Sequence, residues 1–389
     1  MQSNILLVLI LYAMNFIRFG MVFPLVPLLA HDLGTSPAMI GVVVGAFGIL
    51  SLFLSVPIGG LTDRVGIKRV LALGVLCNIT STLLLINANH VLILTASQVV
   101  GGLGFQLHIV SGQTFTASID SPFRRESGFG YLSFSAALGL SLGPVLGGVI
   151  ATHFGYHGAF LTVLLVSILG LMIIGFREPR RSYVPGRYDL RRDLRHAAIL
   201  LSNSRMRAVL AFTFVVLFSI SLRISFLPVF LHRRSSEAVV GLLLSIFAGT
   251  STLIRLFVGR LLQSFTRRAI IGFSLLTIAL GVGLIPMLSS LLTVALALCS
   301  FGMGFGLIPP LSMMMVADLT DPGHSGLSMG IRFMVLTLAN ILGPILLGVL
   351  VEGFGLQSAF YVSALFVIAI GTYILLWEPE LLPRRREEI

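Results

Sequence analysis

Charge is what this 389-residue sequence has least of. Asp, Glu, Lys and Arg make up 11% of it and hydrophobic residues 56%, against roughly 25% charged residues in a soluble domain. With a mean hydropathy of +1.01, a soluble globular protein is excluded. Cysteine is nearly absent as well. Cys77 and Cys299 are the two present, both inside apolar stretches, so no disulfide framework is expected and both read as small buried hydrophobes. Lys68 is the single lysine, and no G-x-x-x-x-G-K-[ST] surrounds it; the chain carries no phosphate-binding loop of the kind a primary pump needs. No H-E-x-x-H and no paired aspartates fall inside an apolar stretch, which argues against an intramembrane enzyme and leaves no metal or cofactor indicated. Gly139-Leu140-Ser141-Leu142-Gly143 fits G-x-S-x-G, but that nucleophile elbow needs a strand–turn–helix, and here it lies in a long apolar run.

What is present is a series of apolar stretches of membrane-spanning length. Twelve are read, at about 4–30, 38–60, 69–87, 91–115, 128–151, 157–176, 207–231, 238–260, 268–287, 291–315, 328–351 and 357–377. The first is too long for a signal-peptide core and has no basic region before it, so it is expected to be retained. The net charge of +11 suggests nucleic acid until the basic residues are placed. Twenty of the 26 fall on one side of the twelve spans, two (Arg233 and Arg234) on the other, and four within spans. That asymmetry puts both termini in the cytoplasm and removes the case for a nucleic-acid partner.

The chain repeats itself. "LGPVLGGVIATHFGYHGAF" at 142–160 and "LGPILLGVLVEGFGLQSAF" at 342–360 share ten of nineteen positions without a gap, 200 residues apart. At the same offset Gly59, Gly102, Gly104, Phe105, Gly130 and Glu178-Pro179 recur as Gly259, Gly302, Gly304, Phe305, Gly330 and Glu378-Pro379. Spans 1–6 and 7–12 are therefore copies of one six-helix unit, and both copies start on the cytoplasmic side because six is even. The fold expected is an all-α membrane protein of twelve transmembrane helices in two parallel six-helix repeats, the arrangement of an alternating-access carrier. Its parts are an N-terminal bundle (1–176), a basic cytoplasmic linker (177–206) and a C-terminal bundle with a short tail (207–389). In the linker Leu190, Leu194, Ala198 and Leu201 have helical spacing beneath a basic face. Two readings are open, a short helix lying on anionic lipid or a solvated basic connector.

Between spans 2 and 3 stands Gly59-Gly60-Leu61-Thr62-Asp63-Arg64-Val65-Gly66-Ile67-Lys68-Arg69. It resembles the loop signature of the major facilitator superfamily, G-x-L-x-D-R-x-G-[RK]-[RK], at Gly59, Leu61, Asp63, Arg64, Gly66 and Lys68, and departs from it at Ile67. The second-half copy, "GRLLQSFTRR", has Gln263 in place of the aspartate. Span 5 carries Gly139, Gly143, Pro144, Gly147 and Gly148 and resembles g-x-x-x-G-P-x-x-G-G of the superfamily's drug:proton antiporter branch at every specified position. Three of these glycines lie on one face and permit close helix approach, and Pro144 removes a backbone bond. The resemblance implies export in exchange for protons. In span 4, where the family often has R-x-x-x-G-x-G, the arginine is replaced by Gln98, a departure that weighs against conventional proton coupling.

The fifteen acidic residues all fall outside the middles of spans. Cavity charge comes from arginine instead. Arg18 lies near the middle of span 1 beside Asn15, and Arg223 in the outer half of span 7. An embedded charge costs at least ~2.5–3.5 kcal/mol and normally faces a polar cavity. Arginine keeps its proton, so it suits an anion and not a coupling proton. Asn15, Arg18, Gln106, His108, Gln113, Arg223 and Asn340 are the candidate cavity residues, with His108 the one histidine deep in a span and a titratable alternative for coupling. For both arginines the competing reading is a lock between helices. Gly59, Asp63, Arg64, Gly66, Lys68, Glu126 and Arg332 form a candidate cytoplasmic gate, with Arg332 meeting Asp63. The expected function is a monomeric secondary transporter of the plasma (inner) membrane, moving a small-molecule substrate. It exports an amphiphilic drug-like compound or metabolite, with proton exchange in question. The alternative is a carrier or facilitator of an anionic or lipid-like substrate held by Arg18 and Arg223 without classical proton antiport, and a remoter one is a non-transporting membrane scaffold or receptor.

Overall fold

In lipid every backbone N–H and C=O must be paired within its own segment, so long apolar stretches become helices. The computed structural model describes residues 2–117, 122–176, 200–320 and 325–377. Helices α1 (Gln2–Asp32), α2 (Pro37–Val65), α3 (Ile67–Ile86) and α4 (Val91–Ala117) come first. Pro122–Phe176 is a helical run broken at Gly155 (φ 69°, ψ 176°), and its limbs, residues 122–154 and 156–176, are α5 and α6. Then follow α7 (Ser204–His232), α8 (Glu237–Arg255), the short α9 (Val258–Ser264), α10 (Arg267–Leu284), α11 (Leu291–Asp318), α12 (Ser325–Phe354) and α13 (Leu356–Trp377). Eleven described stretches are long and apolar enough to cross a membrane, and Gly130–Gly175 among them is the α5–α6 pair taken together. Each of the twelve expected spans coincides with a helix to within a few residues, the eighth being α8 continued by α9. The linker segment 177–199 lies outside the described residues.

The chain forms two compact units. The first is Met1–Gly186 with Ile224–Ser245, and the second is Arg187–Arg223 with Ile246–Ile389. Within the first, α1 packs along α5, where small residues let two backbones touch, the way helices associate without a hydrophobic drive between them. A Cβ on Gly143 would lie 2.6 Å from Gly20 Cα, and one on Gly147 2.7 Å from Met21 O. Within the second, α7 meets α12 in the same way, with a Cβ on Gly343 falling 2.3 Å from Ser221 Oγ. The repeat is therefore shifted by one residue along these first helices, matching Gly20, Pro27 and His31 with Ser221, Pro228 and His232, 201 residues on. The break between α12 and α13 is Gly355 (φ 83°), the copy of Gly155; a side chain at either would strain the backbone.

The copies differ at one turn. Gly66 (φ 91°, ψ 147°) alone joins α2 to α3, with its N–H on Thr62 O at 3.1 Å. Its counterpart in the second half is spread over α9 and an extended Phe265, with Thr266 capping α10 through the Ala269 N–H. Glycine permits the abrupt reversal, and the second half lacks it.

Candidate functional site

The interior of the first unit is polar. Asn15, Arg18, Asn78 and His108 are each 2–3% exposed, and they converge from α1, α3 and α4. Asn78 Nδ2 donates to Asn15 Oδ1 at 3.2 Å. The Nδ1–H of His108 donates to Gly104 O at 2.9 Å, which fixes its tautomer. The imidazole has room because α3 carries Gly74 opposite it, where a Cβ would lie 2.7 Å from Nδ1. Asn15, Arg18, Asn78 and His108 line a cavity of about 20 Å³ closed on the far side by Val166, Ser167 and Gly170 of α6. On the other flank of Arg18 a second cavity of about 10 Å³ is walled by Phe19, Phe23 and Phe47, with Ser81 and Gln98 at its polar edge. Each has room for about one water-sized occupant. Gln98, at the position where the superfamily resemblance expects arginine, thus shares a cavity with the arginine of α1.

The sequence-predicted residues separate into groups. Asn15, Arg18 and His108 come together. Gln106 is buried in α4 and Gln113 is exposed. In the second unit, Arg223 lies with its guanidinium carbon 4.9 Å from the centroid of the Phe247 ring, a cation–π contact. Asn340 is half-buried with Oδ1 unpartnered. Arg332 is buried and ties α12 to α11, its Nε and Nη2 donating to Ser312 Oγ at 3.0 and 2.7 Å and its Nη2 to Pro309 O at 3.2 Å. Gly66 and Lys68 stand at the α2–α3 turn. The side chains of Gly59, Asp63, Arg64 and Glu126 lie outside the described residues.

Gly139, Gly143 and Gly147 face α1. Gly148 faces the opposite way, toward the start of α8 in the same unit, where a Cβ on it would lie 2.2 Å from Glu237 O. Pro144 O meets Gly241 of α8 in turn, 2.1 Å from where its Cβ would be. Beside this contact Thr152 Oγ1 donates to Glu237 at 3.2 Å and accepts the Ala238 N–H at 2.9 Å, while Tyr156 donates to Asp32 at 2.7 Å.

Sequence reading missed Asn78 and Ser312. Asn78 had a signal, since its copy 200 residues on is Ile278. Ser312 had none. Among the described residues no three of His, Cys, Asp or Glu are grouped to hold a metal.

An all-helical fold of twelve spans in two copies agrees with the comparisons. Residues 8–235 and 209–388 each match the Major Facilitator Superfamily. The chain belongs to that superfamily. It is 24% identical over 365 residues to Multidrug resistance protein 2 of Bacillus subtilis strain 168, covering 92% of this chain and 90% of that one. It is 27% identical to Quinolone resistance protein NorA of Staphylococcus aureus strain Mu50 over 175 residues, 44% of each chain. A bacterial homolog of the human lysosomal transporter Spinster, solved inward-facing and unoccupied, superimposes with TM-score 0.82 at 15% identity over 96% of each chain. This protein is thus an integral membrane transporter of the superfamily.

Proposed function

We propose that this facilitator-superfamily transporter exports small amphiphilic drug-like compounds or metabolites by rocker-switch alternating access, the N-terminal bundle (1–176) moving against the C-terminal one (207–389). The observation that carries this reading is the glycine–proline face of α5. All of its specified positions are present, and they are used on both sides, Gly143 and Gly147 against α1 and Gly148 against α8. A helix smooth on two faces can slide without unlocking side chains. The relatives named for multidrug and quinolone resistance point the same way. The protein works as a monomer in the plasma membrane with both termini cytoplasmic.

A second reading has its own support. Two buried arginines and no carboxylate in the middle of a described span favour an anionic or lipid-like substrate, with Arg223 over Phe247 offering an aromatic and a cationic surface together. Proton exchange then falls to His108 or is absent.

The test is flux in liposomes holding the purified protein, with ethidium and carboxyfluorescein as matched cationic and anionic probes, at equal and at opposed pH. Ethidium flux driven by a proton gradient supports the exporter. Carboxyfluorescein flux that is lost in Arg223→Met and indifferent to pH replaces it with the anion carrier. Flux of neither probe overturns both.

A further inference from the structure

The interior of the first unit holds a positive charge that no described neighbour neutralises. Arg18 is 3% exposed, and its Nε and Nη2 have no hydrogen-bond partner. Neither flanking cavity is lined by an Asp or a Glu. Asn15 Nδ2 is unpartnered as well, because the Asn78 amide takes the oxygen of Asn15 and leaves its nitrogen free. Residues 15 and 18 are three apart on α1 and so share a face, and both line the larger cavity. Of the rest of its polar wall, His108 Nδ1 is on Gly104 O and the Ser167 hydroxyl donates to Val163 O at 2.8 Å, while Asn78 Oδ1 is left as an acceptor without a partner. The unpartnered donors of Arg18 and Asn15 outnumber it, and they are attached to a cation.

A guanidinium keeps its charge, and an ion buried without a counter-charge costs several kcal/mol even after relaxation. Water in the cavity solvates the charge and does not cancel it. The size of the space, about 20 Å³, is near that of one water and suits a monatomic ion better than a carboxylate, a phosphate or a drug-like anion. The fold does not require the arrangement. At the matching places in the second unit stand Val216, Ser219, Ile278, Ile308 and Val367, each at most 2% exposed.

We infer that this cavity is a binding site for a monatomic anion, chloride at physiological salt, held inside the first six-helix unit by the Nε–H and Nη2–H of Arg18 and the side-chain amide of Asn15. The anion is a resident counter-ion and not the transported substrate, so the site is independent of what the protein exports. It removes the need for a carboxylate beside Arg18.

Purified full-length protein, melted at constant ionic strength in sodium chloride, bromide or gluconate, tests this, together with the chloride-35 NMR linewidth titrated with bromide. A ligand bound only by the folded state raises Tm with its concentration. The expected result is a Tm several degrees higher in chloride and bromide than in gluconate, saturating with concentration, and chloride broadening that excess bromide reverses. Both should be lost in Arg18→Met and reduced at least fivefold in halide affinity in Asn15→Val, and kept in Arg223→Met. Should Arg18→Met fail to fold, Asn15→Val decides. Equal melting in chloride and gluconate with no protein-dependent broadening would leave water as the occupant and overturn the site, as would a halide effect undiminished in both variants.

Discussion

The first and second six-helix units solve one packing problem with opposite chemistry. Gly104 and Gly304 are copies, and each lets α3 or α10 come close. In the first unit the nearest side-chain atom to the glycine is Asn78 Oδ1, 2.3 Å from where a Cβ would be; in the second it is Thr277 Oγ1 at 2.4 Å, with Ile278, the copy of Asn78, bringing Cγ1 to 2.8 Å. Around them, Asn15, Gln98 and His108 stand where the second unit has Val216, Leu298 and Ile308, all six buried. The opposing helix follows suit, with Gly74 making room for His108 where Ser274 stands in the copy. Since the apolar version holds the same six helices, the polar one is not there for stability. Replacing buried polar networks by hydrophobes is often neutral or stabilising. A polar interior present in one copy alone is where function, and not packing, is expected to constrain the chain.

The largest expected effect breaks the comparison from the apolar side. Ile278→Asn with Ile308→His puts two polar groups into the second unit without the partner that Asn15 supplies or the room that Gly74 leaves. Each unsatisfied buried group costs ~1–3 kcal/mol, and the introduced imidazole would also crowd Ser274. The expected outcome is a protein that melts many degrees lower or fails to be recovered as a monodisperse peak. The reverse transplant, Asn15→Val with Arg18→Ser, Asn78→Ile and His108→Ile, should melt no lower than the parent and yet transport at least tenfold more slowly. Unchanged transport would show that the polar interior is idle.

Next in size is a steric test of one position. Gly74→Ala leaves the polar set intact but places a methyl 2.7 Å from His108 Nδ1. Overpacking of this kind costs ~1–3 kcal/mol, so a drop of several degrees in Tm is expected, relieved when His108→Ile is added. Ser274→Ala at the copied site should do little. A Gly74→Ala protein that melts like the parent would mean that the imidazole shifts freely, and that the Gly104 bond does not hold it.

Arg332 gives an effect of intermediate size. Its three bonds to Ser312 and Pro309 tie α12 to α11. Arg332→Met should cost ~1–3 kcal/mol, in line with hydrogen bonds to a charged group. Ser312→Ala should reproduce most of the loss, and the double variant should not add to it. Additive losses, read as Tm in a double-mutant cycle, would mean that Arg332 has another partner in solution.

Most of the fold was legible because membrane spans are written in long apolar runs and the repeat in glycines, which survive where close approach or positive φ demands them. Gly143, Gly155 and their copies were readable for that reason. The polar interior was half legible. Arg18 and His108 stand out as charges and rings in apolar runs, whereas Asn78 becomes visible only when Ile278 is set beside it. The roles of Arg332 and Ser312 were not legible. Which carbonyl and hydroxyl an arginine reaches depends on how α11 and α12 cross, and no periodicity in the sequence reports that angle. Pro144 and Gly148 were legible as a motif, but the second face of α5, turned to Gly241, was not, since no register between distant helices is written in the chain.

The smallest expected effect lies at the second unit's surface and separates buried from exposed charge. Arg267, at the start of α10, pairs with Asp318 at the end of α11, and their side chains are 26% and 52% exposed. Exposed pairs contribute ~0–1 kcal/mol, because water screens the attraction and two flexible side chains lose freedom. Arg267→Ala should therefore move Tm by a degree or two at most, with a difference that shrinks as salt is raised. Arg332→Met has the same formal charge change, but its loss should persist in high salt, because its partners are neutral and buried. Similar salt dependence in the two variants would place Arg332 in contact with solvent and remove it from the helix-tying role, whereas divergent dependence fixes burial, and not charge, as what gives an arginine in this protein its structural weight.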